Sequence, residues 1–230
     1  MKTLYESLLD DFDEIEKTVD PRGQVIQFLE DNYIWGCNIK PDAFKISKKP
    51  NKNGKYEVKL IVKFCPFLII DSRYTQEYLT NNLFVFTEGN FSIRSNNKLK
   101  DLTGFAEKFN GSINIIGCDN LTTLEGLPKI VNGEFKCVSC HNLTSLKGSP
   151  EKVGVSCVIK GNPKLTSLEG APKEVVNIFD LSDCVNIKSL KGAPKKVGIW
   201  YTNNSEAVKL SFDEDDVRKV CSVMSNIIIK

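Results

Sequence analysis

The chain has 230 residues, of which 41% are hydrophobic and 26% charged, with a formal net charge of +2. That apolar content supports a packed core and excludes a disordered tail, while the near-neutral balance argues against a dedicated nucleic-acid binder. No apolar run approaches the roughly 18 residues that cross a bilayer, so no membrane partner is expected.

The opening stretch, Met1 to Asp20, has seven acids and two lysines and lacks the apolar centre of a secretion signal. A cytoplasmic protein is expected, with its eight cysteines reduced. Leu4, Leu8, Leu9, Phe12 and Ile15 fall near helical spacing among Asp10, Asp11, Asp13, Glu14 and Glu16, which predicts an amphipathic acidic helix over Met1 to Val19. Asp20-Pro21 then starts a second helix, with a capping carboxylate and a proline at the first helical position. Its apolar face is Val25, Ile26, Phe28 and Leu29.

From Phe44 to Phe64 the pattern changes to a hairpin. Asn53-Gly54 is the favoured two-residue turn pair, and Tyr56, Val58, Leu60, Val62 and Phe64 alternate with mostly polar neighbours. Eight lysines lie between Lys40 and Lys63 against Asp42 and Glu57. They fit protection of a sheet edge, or else a docking patch for an acidic partner or phosphates. Nucleic acid is the less favoured partner here, because aromatic residues suited to base stacking are sparse. Cys65 to Ile70 and Leu83 to Phe86 read as further strands leading into the next region.

Residues 89 to 204 carry one pattern repeated every 22 residues, read here without a register slip. Leu99, Leu121, Leu143, Leu165 and Ile187 form one column, and Leu102, Leu124, Leu146, Leu168 and Leu190 a second. Gly104, Gly126, Gly148, Gly170 and Gly192 follow, then Pro128, Pro150, Pro172 and Pro194. Phe109, Val131, Val153, Val175 and Val197 come next. At constant spacing the following inward columns are Phe91, Ile113, Phe135, Cys157, Phe179 and Tyr201, then Ile93, Ile115, Cys137, Ile159 and Leu181. Asn96, Cys118, Cys140, Asn162 and Cys184 complete the unit. The alternation through Phe135, Lys136 and Cys137 has the period of a strand with one buried side, and units this short must stack to bury it. Glycine and proline in the Leu168 to Pro172 run turn the chain and keep the return limb from becoming a long helix.

After the repeats, Ser211 to Asn226 offers an acidic start at Asp213 to Asp216 and then Val217, Val220, Cys221 and Met224 at helical spacing. The expected fold is therefore an α+β solenoid. It is a leucine-rich-repeat-like parallel β-solenoid over 87–204, with an N-terminal α/β-hairpin cap at 1–86 and a C-terminal helical cap at 205–230.

The run Asn162 to Val175 resembles short bacterial leucine-rich repeats, whose units carry Asn-x-x-Leu-x-x-Leu followed by prolines. More closely, Leu165 to Lys173 looks like repeat proteins encoded by bacteriophages and mobile elements of gut Bacteroidota. Met1 to Asp11 and Phe44 to Tyr56 are similar to the front ends of such proteins. The resemblance implies the solenoid architecture and a place in the cytoplasm of a bacterial host, but no shared activity.

Cys137-Val-Ser-Cys140-His141 spells a haem-attachment pattern. In repeat register, however, Cys137 falls in a core column and Cys140 in the Asn/Cys column, so both read as buried small residues. A structural zinc site needs four ligands, and the residue stacked after Cys118 and Cys140 is Asn162. No cofactor or metal is expected. With a single histidine and no phosphate-cradling loop, no catalytic residues are assigned and the chain reads as a non-enzyme.

What remains is surface. Outward strand positions form rows at Ser92, Asn114, Lys136, Val158, Asp180 and Thr202; at Arg94, Ile116, Val138, Lys160 and Ser182; and at Asn90, Ser112, Glu134, Ser156, Ile178 and Trp200. Exposed apolar residues in such rows mark a protein contact, and tryptophan is a common interface anchor. The candidate protein-binding residues are Arg94, Asn114, Ile116, Lys136, Val138, Val158, Lys160, Asp180 and Trp200. An alternative is that the C-terminal segment folds over Ile178 and Trp200. The expected function is binding, and thereby inhibiting, another protein of the bacterial host, such as a defence protein. The alternatives are a structural or packaged phage protein that self-associates, and nucleic-acid binding through the lysine-rich hairpin. A second basic cluster, Lys188, Lys191, Lys195 and Lys196, sits on the last return limb and reads as a solvated face.

Overall fold

The computed structural model describes residues 21–33, 43–61, 68–71, 73–76, 83–203 and 212–230. The predicted acidic helix over Met1 to Val19, the hairpin positions Val62 and Phe64, and the first part of the strand predicted at Cys65 to Ile70 lie outside these residues.

Helix α1 (Pro21–Tyr33) precedes strands β1 (Phe44–Ile46), β2 (Tyr56–Leu60) and β3 (Leu68–Ile70). Two long strands follow, β4 (Phe84–Arg94) and β5 (Phe105–Ile116). Two coils with split strands come next: β6 (Ile130–Val131) with β7 (Phe135–Val138), and β8 (Lys152–Val153) with β9 (Cys157–Lys160). Then come β10 (Glu174–Asp180), β11 (Lys196–Thr202), helix α2 (Glu214–Val220), β12 (Ser222–Val223) and β13 (Ile227–Ile229). The result is a mostly β protein built on a parallel β-solenoid of about six turns of about 22 residues, with few helices. Among the described residues only β1 and β2 pair antiparallel.

Each coil gives the sheet two strand segments with a corner between them. At the corner of β5, Gly111 has φ +142°, and a Cβ there would lie 1.7 Å from the Gly89 carbonyl oxygen. No other residue lets adjacent backbones approach so closely. The return limb turns at Gly126, Gly148, Gly170 and Gly192, all with positive φ, and the prolines that follow are buried. From opposite sides, the two leucine columns of the limb and the strand columns fill one core. Leu99, Leu121, Leu143 and Leu165 meet it with no exposure, as do Phe91, Ile113, Phe135, Cys157 and Phe179. Each fully buried leucine or phenylalanine contributes roughly 1.5–3 kcal/mol relative to exposure. Coils are also tied limb to limb, for example through the Leu124 amide to the Lys147 carbonyl at 2.8 Å.

The spacing is not constant to the end. Val175 pairs with Val197 as the period requires, but Phe179 then pairs with Trp200, so the final coil is one residue short. Side chains alternate along a strand, so a slip of one residue exchanges inward and outward positions. Trp200 is fully buried in the column expected to hold Tyr201, and Thr202, expected outside, is also buried. The Trp200 ring packs on Phe179 and Phe212 at 5.1 and 6.4 Å, and its Nε1 donates to Thr202 Oγ1 at 3.2 Å.

The ends differ from the predicted patterns in two further ways. In the β1–β2 hairpin the last strand pair is Ile46 with Val58, so the loop is longer than an Asn53-Gly54 two-residue turn. Asn51 organises it: its Oδ1 accepts from the Asn53 and Lys55 amides at 2.9 and 3.2 Å, and Gly54 supplies the positive φ. Strands β2 and β3 both pair parallel with β4, Leu68 beside Phe91 and Ile70 beside Ile93, in line with the inward columns. At the other end, α2 starts with a capping box between Asp213 and Asp216. It stops at Val220, where Cys221 turns extended and β12 and β13 pair parallel with β11. Val217 and Cys221 reach the core, whereas Met224, predicted on the helix, is 66% exposed. The β-branched run Ile227 to Ile229 favours strand pairing over continued helix.

Candidate protein-binding face

The outward face of the sheet carries the predicted positions except one. Arg94 and Lys160 are exposed, and Asn114, Ile116, Lys136, Val138, Val158 and Asp180 are half-buried. Trp200 is not on this face, because the shortened coil turns it into the core. Tyr201 takes the outward place beside Asp180, and Ile199 stands beside Ile178. Neither was selected from the sequence. The available signal was the run from Val197 to Trp200, one residue shorter than the matching run from Val175 to Phe179.

Cross-strand register fixes the arrangement. Ile116 neighbours Val138, Lys136 neighbours Val158, and Val158 neighbours Asp180. Val138 and Val158 sit diagonally on adjacent coils, as do Val158 and Ile178. Two residues along a strand and one strand across place such pairs roughly 8 Å apart. The half-exposed apolar side chains Ile116, Val138, Val158, Ile178 and Ile199 thus form one oblique stripe across the sheet. Charge flanks it: Lys136 pairs with Glu134 at 2.6 Å, and Lys160 with Asp183 at 3.5 Å.

Other polar positions on this face are committed to the fold. The Arg94 guanidinium donates from Nε to Ser92 Oγ at 2.6 Å, and Asp180 Oδ1 accepts from the Ser182 amide and hydroxyl at 2.8 and 2.6 Å. In the third row, Asn90 Oδ1 accepts from the Ser112 amide and Ser112 Oγ from the Glu134 amide, both at 3.0 Å. Ser156 Oγ does the same for Ile178 at 3.4 Å. Asn114 Oδ1 is shielded and accepts no hydrogen bond from the described residues.

The Asn/Cys column is structural. Asn96, Cys118, Asn162 and Cys184 each donate to the carbonyl 25 residues earlier, those of Asp71, Ile93, Cys137 and Ile159. Asn162 also accepts from the Cys140 amide at 2.9 Å. Just before this column, Ser95, Gly117, Ser139, Gly161 and Asp183 all adopt positive φ, a recurrent turn that directs the ladder inward. Cys137, Cys140 and Cys157 are buried free thiols, and burial pushes Cys184 and Cys221 up to about 11. His141 stands outside, its Nδ1 3.0 Å from Asp119 Oδ1. The His141 amide is the main cause of the lowered Asp119 carboxyl pKa, with a smaller part from the ring. Among the described residues no group of three or more His, Cys, Asp and Glu side chains is placed to hold a metal ion. None of their helices is long and apolar enough to cross a membrane.

Away from the face, the return limbs carry ladders of alternating charge. Glu107 pairs with Lys129, Glu125 with Lys147, Glu151 with Lys173 and Glu169 with Lys191, at 2.5–2.8 Å. On the β1–β2 hairpin Lys45, Lys48, Lys49 and Lys52 are exposed, and Lys59 lies 3.4 Å from Glu88. Lys40 and Lys63 lie outside the described residues. The chain matches no family model, no curated protein and no solved structure.

Proposed function

We propose that the chain is a non-catalytic, leucine-rich-repeat-like binding module of phage or mobile-element origin, capped at both ends and acting in the cytoplasm of a bacterial host. It binds and inhibits a host protein through the outward sheet face. The oblique apolar stripe from Ile116 to Ile199 carries this reading: it is half-exposed, lies on backbone tied by parallel pairing, and is bordered by Arg94, Lys136, Lys160 and Asp180. Such a surface is shaped before a partner arrives, so little ordering entropy opposes association. Tyr201 replaces Trp200 as the aromatic anchor at its far end.

The test is affinity capture from host lysate with wild type and Val138→Asp/Val158→Asp, followed by titration of the purified captured protein against both. A carboxylate in the stripe is left desolvated and unpaired, so affinity falls more than about tenfold. Unchanged affinity would remove the sheet face as the binding site.

A further inference from the structure

The last return limb and α2 enclose a groove of about 740 Å³. Lys188, Lys191, Lys195 and Lys219 line it, over a floor that includes Leu190, Ala193, Phe212 and Val220. Lys191 pairs with Glu169 at 2.6 Å and Lys219 with Asp216 at 2.9 Å. Lys188 and Lys195 make no ion pair among the described residues, and the repeat explains why. In their columns the preceding coil offers Thr166 and Lys173, so the alternation that neutralises lysines elsewhere fails here. The groove therefore combines surplus positive charge with exposed apolar surface, Val220 being 45% exposed.

We propose that this groove receives the acidic segment Met1 to Asp20 of a second copy of the chain, joining molecules head to tail. The segment has the complementary chemistry: seven acids against two lysines, with Leu4, Leu8, Leu9, Phe12 and Ile15 interspersed. The groove and the segment's point of attachment also lie at opposite ends. The segment leads into α1, whose Phe28 packs on Phe84 of β4 at 5.6 Å. The groove lies beside β11, five strand steps from β4 and therefore roughly 24 Å away. Ends that complement one another across a molecule's length make a heterologous contact, which builds rings or open filaments rather than a two-fold dimer. The contact uses the return-limb side and does not depend on the sheet-face reading.

Sedimentation of the full chain tests the proposal, with circular dichroism confirming that each variant is folded. Wild type self-associates at low salt, and the association weakens as salt screens the contact. Lys188→Glu/Lys195→Glu and, separately, the neutral Asp10→Asn/Asp13→Asn each weaken it more than about tenfold. An equimolar mixture of the two folded variants forms a one-to-one complex that grows no further, because one brings an intact segment and the other an intact groove. The proposal is overturned if wild type remains monomeric at low salt, if either variant associates like wild type, or if the mixture forms no complex.

Discussion

The coils from Phe91 to Leu181 and the final coil from Ser182 to Asn203 are built on one sequence pattern, yet they solve the same packing problem differently. In the earlier coils the run from the limb column to the strand column has constant length: Phe109 to Ile113, Val131 to Phe135, Val153 to Cys157, Val175 to Phe179. The final coil reaches Trp200 from Val197 with one residue fewer, and the mismatch is absorbed opposite Gly198, next to the carbonyls of Val176 and Asn177. Val176 is left 61% exposed at this irregularity. Two residues opposing one is how a β-bulge takes up a length difference without moving the rest of a ladder. What sets the register is therefore which side chains must enter the core, and residue count yields to it.

The largest effect that separates the regions is expected within a single column. Trp200→Ala removes the ring held between Phe179 and Phe212 and should cost about 3–5 kcal/mol. Cys157→Ala, at the same inward position two coils earlier, removes one atom and should cost about 1 kcal/mol. Chemical denaturation measures both. A Trp200→Ala cost no larger than that of Cys157→Ala would show that Trp200 does not fill the core.

A smaller difference is expected in the Asn/Cys ladder. Asn162 satisfies two buried backbone groups, the Cys140 amide and the Cys137 carbonyl, each at 2.9 Å. Asn162→Ala strands both and should cost about 1–3 kcal/mol. Cys184 gives one weak thiol donor to the Ile159 carbonyl, so Cys184→Ala should cost about 1 kcal/mol or less. Equal losses in denaturation experiments would mean that the ladder is held by packing alone.

These contrasts also mark what could be read in the sequence. The parallel stack, the limb columns and the demotion of Cys137 and Cys140 to core residues followed from side-chain alternation and the positions of glycine and proline. From Arg94 to Asp180 the chosen positions lie on the outward face because the pairing keeps the 22-residue spacing between them. Trp200 was misplaced because constant spacing was carried one coil too far, and Tyr201 and Ile199 were lost with it. Met224 was misread because Val217, Val220, Cys221 and Met224 suit a helix, whereas pairing with β11 decided the state of Ser222 to Ile229. The groove beside α2 was not legible from lysines on the limb, since its second wall comes from Phe212 to Val220.

If core entry governs register, lengthening the short coil should be tolerated. A glycine inserted after Gly198, on a Trp35→Phe background, restores the common spacing and should leave Trp200 buried. Its fluorescence is expected to stay blue-shifted and quencher-resistant, with a small change in Tm. A red shift would show instead that burial of Trp200 depends on the shortened run from Val197.

The smallest effects belong to the charge ladders, and here the two regions should respond with opposite signs. In the earlier coils, hydrogen bonding and charge from Lys129, Lys173 and Lys152 hold the Glu107, Glu151 and Glu174 carboxyls below their ordinary value of 4.5. A carboxyl lowered in the folded state adds stability that is present above that ordinary value and is lost as pH falls through the folded one. Glu151→Gln should therefore lower Tm slightly at neutral pH, and the difference from wild type should vanish in acid. High salt should also erase it, because these side chains are exposed and screened. The final coil lacks the compensation: Lys195 stacks on Lys173, its amide 2.9 Å from the Lys173 carbonyl. Lys195→Glu would extend the alternation by one rung, so in protein dilute enough to be monomeric it should raise Tm slightly at low salt and neutral pH while Glu151→Gln lowers it. A lowering by both, persisting in high salt, would mean that the limb ladders act through packing of their aliphatic stems rather than through charge.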